Sequence, residues 1–405
     1  MAEHLVVVGG GQAAAQAVQT LRAQNFLGPI TLVCDEPHPP YQRPPLSKKY
    51  LAGELTRERL YLRPASFYAE KGVTLEQNRR AEELDLAARK VRLDDGRSLK
   101  YDRLLLTTGS RVRRLSVPGA ELSGVHYLRT IADVDAITAE LTPGARAVLV
   151  GAGYIGLEVA AVLSTRGFDV TVLESLDRVL SRAVSPEVAA FYSERHRAAG
   201  VAIQCGAQVA AFRGTTHVTS VETTAGQMFP CDIAIIGIGI VPNVEIAGVA
   251  GLPCDNGIIV DEFARTADAN VVAAGDCTNH PHPKLGRRVR LESVPNAIHQ
   301  AKVAAATLLG APVAYSEVPW FWSDQYDLKL QIVGLSMGYD EVVLRGEPAT
   351  RSFAAFYLAH GELLAVDAVN SPREFAAAKK LVATGARIAP EMLRDPNVDL
   401  AALAG

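Results

Sequence analysis

The sequence is short of three things: paired cysteines, an excess of charge of one sign, and long apolar runs. Its five cysteines are widely spaced and include no Cys-x-x-Cys pair: Cys34, Cys205, Cys231, Cys254 and Cys277. This odd and scattered set argues against a disulfide scaffold, a zinc knuckle and a proximal redox dithiol. We therefore expect the protein to work in a reducing, cytoplasmic environment.

The charge balance and the apolar pattern argue against two further classes. Lysine and arginine number 41 and aspartate and glutamate 44, so the net charge is −3 and a broad nucleic-acid footprint is not expected. The longest apolar candidate for a membrane span, residues 198–212, is interrupted by glycine and glutamine. The apolar start at Leu5 runs directly into Gly9, which predicts a strand and not a signal peptide.

What is present is typical of a globular chain, with 48% apolar and 21% charged residues in a length of 405. At roughly 100–200 residues per domain, that length predicts several domains. Residues 101–109, 232–239 and 271–276 each have the pattern of a buried strand that ends in a turn. Beyond Pro319, alternating stretches at 329–333 and 353–358 predict antiparallel strands, and 372–382 predicts a helix.

Two segments repeat the same order of elements. Each has a short apolar strand, at 5–8 and at 147–150, followed by a glycine turn and a helical pattern. After each helix, a second strand ends in acid. The small residues of the turns and the acids are Gly9, Gly11, Ala13, Ala14, Asp35 and Glu36 in the first copy, and Gly151, Gly153, Gly156 and Glu174 in the second.

This order is the βαβ fingerprint of a dinucleotide site. The first glycine permits a tight turn, the second lets the backbone approach a pyrophosphate, and the third small residue lets helix and strand pack closely. The helix N-terminus offers unpaired N–H groups to the phosphates, and the acid accepts hydrogen bonds from a ribose. Two copies predict two different nucleotides, one retained and one exchanged.

Four motifs give the sequence a family resemblance: residues 43–48, 151–158, Gly275-Asp276 and 319–325. Over essentially the whole chain it resembles the FAD-dependent NADH:ferredoxin reductases that serve bacterial cytochrome P450s and aromatic-ring dioxygenases. The resemblance implies an α/β fold with two Rossmann-like dinucleotide-binding domains, as in glutathione reductase, plus a C-terminal α/β domain. It implies an FAD domain at 1–110 and 245–318, an inserted NAD domain at 111–244 and a third domain at 319–405.

The resemblance also implies which residues hold FAD. The acid at Asp35 is expected at the adenosine ribose, although a solvated strand end is an alternative. Asp276 is expected at the ribityl hydroxyls, and the helix that follows Val294 at the pyrimidine edge of the flavin. The implied contacts are Gly9, Gly11, Ala13, Ala14, Asp35, Glu36, Arg43, Lys48, Ala81, Arg129, Gly275, Asp276, Val294 and Trp322.

A second set is implied for NADH, the exchanged substrate. Glu174 favours NADH because a carboxylate repels a 2′-phosphate, whereas Arg178 and Arg182 would instead support NADPH. Tyr154 either covers the nicotinamide face or packs in the core. The implied contacts are Gly151, Gly153, Tyr154, Ile155, Gly156, Glu174, Arg182 and Gly239.

Lys48 and Glu158 are the predicted catalytic residues. Glu158 lies among apolar residues of the second nucleotide helix, where a charged group needs a partner. The resemblance implies that this partner is Lys48, placed beside flavin N5. Taken alone, Lys48 is more simply a surface lysine.

The route by which electrons leave is predicted from an absence. The segment 35–204 contains no cysteine, so a disulfide beside the flavin is not available and electrons must leave the flavin directly. Flavins release electrons singly, which suits a one-electron iron–sulfur partner. The resemblance implies an acidic 2Fe-2S ferredoxin. Its expected docking stretch, for which a solvated loop is the alternative, is Lys284, Arg287, Arg288 and Arg290.

Other functions are left as alternatives or set aside. An NADH oxidase, or a rubredoxin or quinone reductase without redox-active cysteine, is the main rival. A redox-sensing interaction protein would carry long insertions and a basic surface, which this sequence does not show. His280 and His282 are interrupted by prolines, which argues against a metal site. Trp322 either lies near the flavin or packs in the core.

Overall fold

The computed structural model describes residues 3–283 and 285–404, and its elements alternate between strands and helices. The strands, in chain order, are β1 (Leu5–Val8), β2 (Ile30–Cys34), β3 (Val73–Gln77), β4 (Ala81–Asp85), β5 (Lys90–Leu93), β6 (Ser98–Lys100), β7 (Arg103–Leu106), β8 (Ser110–Val112), β9 (Val125–Tyr127), β10 (Arg146–Val150), β11 (Asp169–Glu174), β12 (Ala202–Cys205), β13 (Val209–Gly214), β14 (Val218–Thr223), β15 (Met228–Pro230), β16 (Ile233–Ile236), β17 (Ile240–Pro242), β18 (Ile258–Ile259), β19 (Val271–Ala273), β20 (Thr278–His282), β21 (Arg287–Val289), β22 (Trp320–Gln325), β23 (Leu328–Gly334), β24 (Glu341–Glu347), β25 (Ser352–Ala359) and β26 (Glu362–Val369).

The helices contain fewer residues in total than the strands. Several begin at proline or after a serine or threonine cap. In chain order they are α1 (Gln12–Ala23), α2 (Ala65–Glu70), α3 (Ile131–Glu140), α4 (Tyr154–Thr165), α5 (Pro186–Ala198), α6 (Glu245–Val249), α7 (Val294–Leu308), α8 (Pro372–Thr384) and α9 (Pro390–Arg394). Short 3₁₀ turns lie at Pro44–Ser47, Arg57–Leu60, Pro348–Thr350 and Ala402–Ala404. Within the described residues, none of these helices combines the length and the apolar character that crossing a membrane requires.

The chain forms two compact units. The first consists of the segment that ends at Arg43, Thr56–Arg111 and Ile240–Glu317. Its main sheet is parallel, in the order β19-β7-β1-β2-β3. Successive side chains of a strand point to opposite faces. In β1, Leu5 and Val7 accordingly pack with α1 and α7, whereas Val6 and Val8 pack with the antiparallel sheet β4-β5-β6 and α6.

The second unit consists of Pro44–Leu55, Val112–Gly239 and the segment from Val318 onward. Its parallel sheet has the order β12-β11-β10-β16-β9, and the antiparallel sheet β13-β14-β15 packs beside it. Both parallel sheets have the strand–turn–helix–strand order predicted from the repeat, so the predicted α/β class is confirmed.

The C-terminal part of the second unit is an antiparallel sheet in the order β22-β23-β26-β25-β24, with α8 and α9 packed on it. The strands predicted at 329–333 and 353–358 are confirmed as β23 and β25, and the helix predicted at 372–382 is confirmed as α8. The backbone N–H of Ser185, which caps α5, donates to the Tyr357 hydroxyl at 2.8 Å. This hydrogen bond joins the antiparallel sheet to the nucleotide-type fold of the same unit.

The predicted three-domain division stays a prediction, and the two units differ from it in two main respects. The predicted NAD domain and C-terminal domain fall together in the second unit. The segment Pro44–Leu55 was expected in the first domain, but it belongs to the second unit. The physical reason is local: this segment donates hydrogen bonds to α4 through the side chains of Ser47 and Lys48.

Candidate active site

The first glycine turn joins β1 to α1 and contains two glycines with different roles. Gly9 has a φ of +113°, and a Cβ added there would lie 2.1 Å from the carbonyl oxygen of Thr107. Gly11 precedes α1, and a Cβ added to it would meet no atom of the described chain within 4 Å beyond its neighbours. No side chain caps this helix, so its first N–H groups face the open space beside Gly11.

The second turn, between β10 and α4, repeats this arrangement. Gly151 has a φ of +102°, and an added Cβ would lie 2.6 Å from the carbonyl oxygen of Gly237. At Gly156 it would lie 2.1 Å from the Gly151 oxygen, so only glycine lets the helix approach the strand so closely. Gly153 again has open space around it, and no side chain caps α4.

These contacts show that the glycines of the two turns are present for two different reasons. Gly9, Gly151 and Gly156 are required by the packing of the protein itself. Gly11 and Gly153 have no such steric reason among the described residues, and they leave room at two positively polarised helix ends. A pyrophosphate fits this space, so both turns are suited to dinucleotides.

The two acids after β2 have different surroundings. Glu36 accepts hydrogen bonds from the Arg43 guanidinium and the Tyr41 hydroxyl, both at 2.7 Å. Arg43 also lies over the Tyr41 ring, at 4.9 Å from its centre. Asp35 is exposed at the end of the strand. Glu36 therefore holds a local ion pair, and Asp35 is the acid whose position suits a ribose.

The Gly275-Asp276 pair lies beside the first turn. Gly275 has a φ of +92°, and an added Cβ would lie 3.3 Å from the Cβ of Ala13 in α1. Its N–H donates to Gln300 Oε1 at 2.7 Å, and Asp276 accepts from the Ser110 hydroxyl at 2.9 Å. The structure thus brings together the glycine turn and this carboxylate. Ser110 and Gln300, which fix them, were not singled out from the sequence.

The helix expected after Val294 is α7, which begins two residues earlier than the predicted start and so includes Val294 itself. Its cap residue Ser293 accepts from the N–H of Asn296 at 3.2 Å. Asn296 is only 3% exposed, and its Oδ1 has no hydrogen-bond partner among the described residues. A buried acceptor without a partner is costly unless a bound group supplies a donor. This orphaned atom fits a flavin, whose pyrimidine ring carries an N–H.

Glu174 lies at the end of β11 and is fixed by backbone groups. Its Oε2 accepts from the N–H of Ala152 at 2.7 Å and its Oε1 from the N–H of Leu176 at 2.9 Å. The carboxylate is therefore held against the second glycine turn. Arg182 is exposed, whereas Arg178 donates to the Ser181 carbonyl at 3.1 Å.

The remaining predicted contacts have more ordinary surroundings. Tyr154 packs on Phe321, with 4.9 Å between ring centres, and Ile155 is exposed. Trp322 lies 5.6 Å from the ring of Trp320. The others are Ala81 at the start of β4, Arg129 whose N–H donates to Asp133, and Gly239, which is exposed with a φ of +102°. Their contacts with a nucleotide stay predictions.

Lys48 and Glu158 form a buried ion pair within the second unit. Lys48 Nζ lies 2.7 Å from Glu158 Oε2, and the side chains are 17% and 3% exposed. Ser47 donates to the same oxygen at 2.5 Å, and Ser323 donates to Oε1 at 2.6 Å. The carboxylate therefore has three donors, of which the sequence singled out one. Its catalytic role stays a prediction.

One local expectation about this pair is corrected. In the sequence, the Pro44-Pro45 pair before Lys48 predicts a rigid entry into a helix, but Pro44–Ser47 is a single 3₁₀ turn that ends before Lys48. Lys48 follows this turn, its N–H donates to the Pro45 carbonyl at 3.0 Å, and its Nζ also donates to the Pro44 carbonyl at 3.2 Å. The N–H groups of Lys48 and Tyr50 both donate to the Pro45 carbonyl, three and five residues back, and the regular four-residue spacing of an α-helix is not established here.

The thiols are unsuited to redox chemistry. All five cysteines are free. Burial, together with the nearby charges of Asp35 and Glu36, raises the pKa of Cys34 to about 12. Burial likewise raises the pKa of Cys231 to about 12. Burial also raises the pKa values of Cys205, Cys254 and Cys277. Because the thiolate is the reactive form, none of the five is activated as a nucleophile.

The expected docking stretch has mixed surroundings. Lys284 lies outside the described residues. Arg287 is exposed in β21. Arg288 donates to two backbone carbonyls, and Arg290 forms an ion pair with Glu292. Two of the expected cations therefore have acceptors within the protein itself.

The histidines near Cys277 are part of the core. His280 is 1% exposed and its ring lies 4.8 Å from that of Tyr315. Burial lowers the pKa of His280 to about 4, so it is neutral at physiological pH. In the described part of the chain, no three His, Cys, Asp or Glu side chains are grouped as a metal site would require.

Comparison with known proteins gives matches along the whole chain. A family model described as pyridine nucleotide-disulphide oxidoreductase matches residues 3–301, and one described as reductase C-terminal matches residues 320–404. Rhodocoxin reductase of Rhodococcus erythropolis is 44% identical over 397 residues, which cover 98% of this chain and 93% of that protein.

Two further matches concern ferredoxin partners. The ferredoxin–NAD(+) reductase component of the anthranilate 1,2-dioxygenase system of Burkholderia cepacia is 43% identical over 402 residues, which cover 98% of each chain. The crystal structure of the covalent complex of putidaredoxin reductase with putidaredoxin gives a TM-score of 0.96 at 42% identity. That match covers 99% of this chain and 98% of the other.

Proposed function

The chain belongs to the pyridine nucleotide-disulphide oxidoreductase family, and from that membership we propose that it is an FAD-containing NADH:ferredoxin reductase serving an oxygenase. The family resemblance expected from the sequence is confirmed by the matches over the whole chain. One observation carries the proposal: the protein has two open dinucleotide turns but no activated thiol among its five cysteines. Electrons that enter from a nicotinamide must therefore leave without a disulfide.

The residues of the first unit fit FAD. The turn at Gly9 and Gly11 would hold the pyrophosphate, Asp35 the adenosine ribose and Asp276 the ribityl chain. Asn296 would supply an acceptor to the ring. When bound, FAD accepts a hydride from a nicotinamide and can release the two electrons singly.

The residues of the second unit fit NADH and a positioning role. The α4 N-terminus would bind the pyrophosphate at Gly153, and Glu174 would disfavour a 2′-phosphate. Lys48, held by Glu158, would orient the reacting groups. Alignment of two rings is the main requirement of a hydride transfer, so no side chain needs to act as a general base.

The partner of the proposed reaction is a 2Fe-2S ferredoxin with an acidic surface. Arg287 and Arg288 of the expected docking stretch are both exposed in β21, and Lys284 is retained in the proposal on sequence grounds. With a net charge of −3, only a local basic surface would steer such a partner. A reducing, cytoplasmic location, supported by the five free thiols, is part of the same proposal.

The test is an anaerobic titration of the FAD-loaded protein with NADH, followed by transfer to oxidised ferredoxins with cytochrome c as the final acceptor. We expect NADH to bleach the flavin and each productive ferredoxin to accelerate cytochrome c reduction. Arg287→Glu should lower the ferredoxin-dependent rate while leaving bleaching by NADH unchanged. Asp94→Asn, at an exposed acid, is the control.

Three outcomes oppose the proposal. A protein that binds no flavin would overturn it entirely. Ferredoxins that leave cytochrome c reduction unchanged would show that the acceptor is wrong. Rapid oxygen or quinone consumption without any ferredoxin effect would identify an NADH oxidase or a quinone reductase instead.

A further inference from the structure

A chain of buried hydrogen bonds runs from Glu158 to the rim of the second unit. Ser323 Oγ lies 2.6 Å from Glu158 Oε1, and Gln325 Nε2 lies 3.2 Å from Ser323 Oγ. Gln325 Oε1 lies 2.9 Å from His196 Nε2, and His196 Nδ1 lies 3.0 Å from the Tyr326 hydroxyl. The Tyr326 hydroxyl is in turn 3.1 Å from Ser164 Oγ.

The inner part of this chain has one possible arrangement of protons. Because Glu158 is paired with Lys48, its carboxylate is ionised and only accepts. Ser323 must therefore donate its single proton to Glu158, and its oxygen is left to accept. The donor to that oxygen is the amide nitrogen of Gln325, so the amide oxygen faces outward.

The arrangement of protons in the outer part of the chain of hydrogen bonds follows from that in the inner part. The outward oxygen of Gln325 needs a donor, so His196 carries its proton on Nε2. His196 is fully buried, and burial lowers its pKa to about 4, so the ring is neutral and Nδ1 is an acceptor. Tyr326 must then donate to Nδ1. The nearby Ser164 hydroxyl also has the Ala161 carbonyl as an acceptor, at 3.3 Å, so the directed part of the chain begins at Tyr326. Every donor in the chain points toward Glu158.

We propose that Ser323, Gln325, His196 and Tyr326 form a positioning relay that holds the Glu158 carboxylate in a single orientation toward Lys48. Chains of aligned hydrogen bonds polarise one another, and a charged acceptor at the end strengthens each of them. The relay residues other than Tyr326 are at most 1% exposed, so they are shielded from bulk water. The role of the relay in the reaction rests on the function proposed above, whereas its proton arrangement does not.

The arrangement of protons is tested by nitrogen NMR of the FAD-loaded protein labelled with ¹⁵N-histidine. We expect His196 to be neutral with its proton on Nε2 near neutral pH. Glu158→Gln removes the charge that fixes the direction of these hydrogen bonds, so the chemical shifts of the His196 nitrogens should change. The matched control is Glu222→Gln, at an ion pair in β14 that is not connected to the relay.

The positioning role is tested by stopped-flow reduction of the flavin by NADH without any acceptor. Ser323→Ala should lower the limiting rate constant about tenfold, the scale of one hydrogen bond to a charged group, with little change in the NADH dissociation constant. Ser323→Thr, which keeps the hydroxyl, should restore much of the rate. Tyr326→Phe removes only the outermost donor and should give a smaller loss, with Tyr339→Phe as the half-buried control.

A His196 proton on Nδ1, or nitrogen signals that respond equally to Glu158→Gln and Glu222→Gln, would overturn the relay. A limiting rate that Ser323→Ala and Tyr326→Phe leave unchanged would overturn its positioning role. Failure of every ferredoxin would instead count against the proposed acceptor, because these measurements need none.

Discussion

The carboxylate of Glu158 lies 2.7 Å from the ammonium of Lys48, although 110 residues separate the two in the chain. Glu158 is 3% exposed, and its side chain lies on a helix whose neighbouring residues are apolar. A buried charge needs a partner and further hydrogen bonds to offset the loss of water. Ser47 and Ser323 supply those hydrogen bonds, so the pair is fixed before any ligand binds.

This geometry predicts the effect of Glu158→Gln. The amide keeps the size of the side chain but not its charge, so Lys48 loses its counter-ion and its fixed position. We expect the limiting rate of flavin reduction by NADH to fall about tenfold or more, with FAD content unchanged. Stopped-flow measurement beside Glu222→Gln checks this; a rate equal to that of the control would contradict the predicted role of the pair.

The two kinds of glycine in the first turn predict opposite effects of alanine. Gly9→Ala places a Cβ 2.1 Å from a carbonyl oxygen at a positive φ, so the apoprotein should lose stability. Gly11→Ala meets no described atom, so the apoprotein should melt as the wild type does, while FAD affinity falls about tenfold or more. Thermal melts and FAD titrations of both variants check this. If Gly11→Ala and wild type bind FAD with equal affinity, the proposal that the pyrophosphate binds at this turn is wrong.

Glu174 predicts the choice of nicotinamide cofactor. Its charge opposes a 2′-phosphate, and its oxygens accept from Ala152 and Leu176. Glu174→Gln keeps an acceptor but removes the charge, so the ratio of kcat/KM for NADH to that for NADPH should fall about tenfold. Glu174→Ala should also weaken NADH binding, because the turn loses its acceptor. If Glu174→Gln leaves this kcat/KM ratio unchanged, the selectivity for NADH over NADPH depends on other residues.

The sequence was sufficient for the features that depend on local pattern. The glycine turns, the strands that flank them and the helix at α8 follow from spacing and apolar period. The pairing of Lys48 with Glu158 was available only through the family resemblance, because nothing in local pattern connects residues so far apart. Even so, a charge on the apolar face of a helix indicated that a partner must exist.

The rest of the site depends on contacts that no local pattern encodes. Ser323, His196 and Gln325 are common polar residues in the sequence, and only the fold places them in one chain of hydrogen bonds. The one available signal is alternation in β22, where Ser323 and Gln325 share a face and are both buried. Likewise, the basic stretch near Arg288 has the composition of a docking surface. In the structure, however, the Arg288 guanidinium donates hydrogen bonds to two backbone carbonyls.

A buried acid away from the nucleotide turns predicts a pH dependence of stability. Asp367 in β26 is 1% exposed and accepts a hydrogen bond from Tyr357. Burial raises the pKa of Asp367 from 3.8 to about 7, and the hydrogen bond from Tyr357 opposes this only in part. Between these two values the unfolded chain releases the proton and the folded protein keeps it. Stability is therefore lost as the pH rises from about 4 to about 7, and the loss is complete above the folded pKa.

Asp367→Asn removes this titration while its amide oxygen can still accept from Tyr357. Relative to wild type, the variant should gain stability as the pH rises through that window, by at most about 1.4 kcal/mol for each pH unit, and the gain should level off above about pH 7. Melting temperatures of both proteins across this range check the prediction. Asp94→Asn, at an exposed acid, should show no such trend. If the difference between Asp367→Asn and wild type does not change with pH, Asp367 is ionised in the folded protein and its burial is offset by another group.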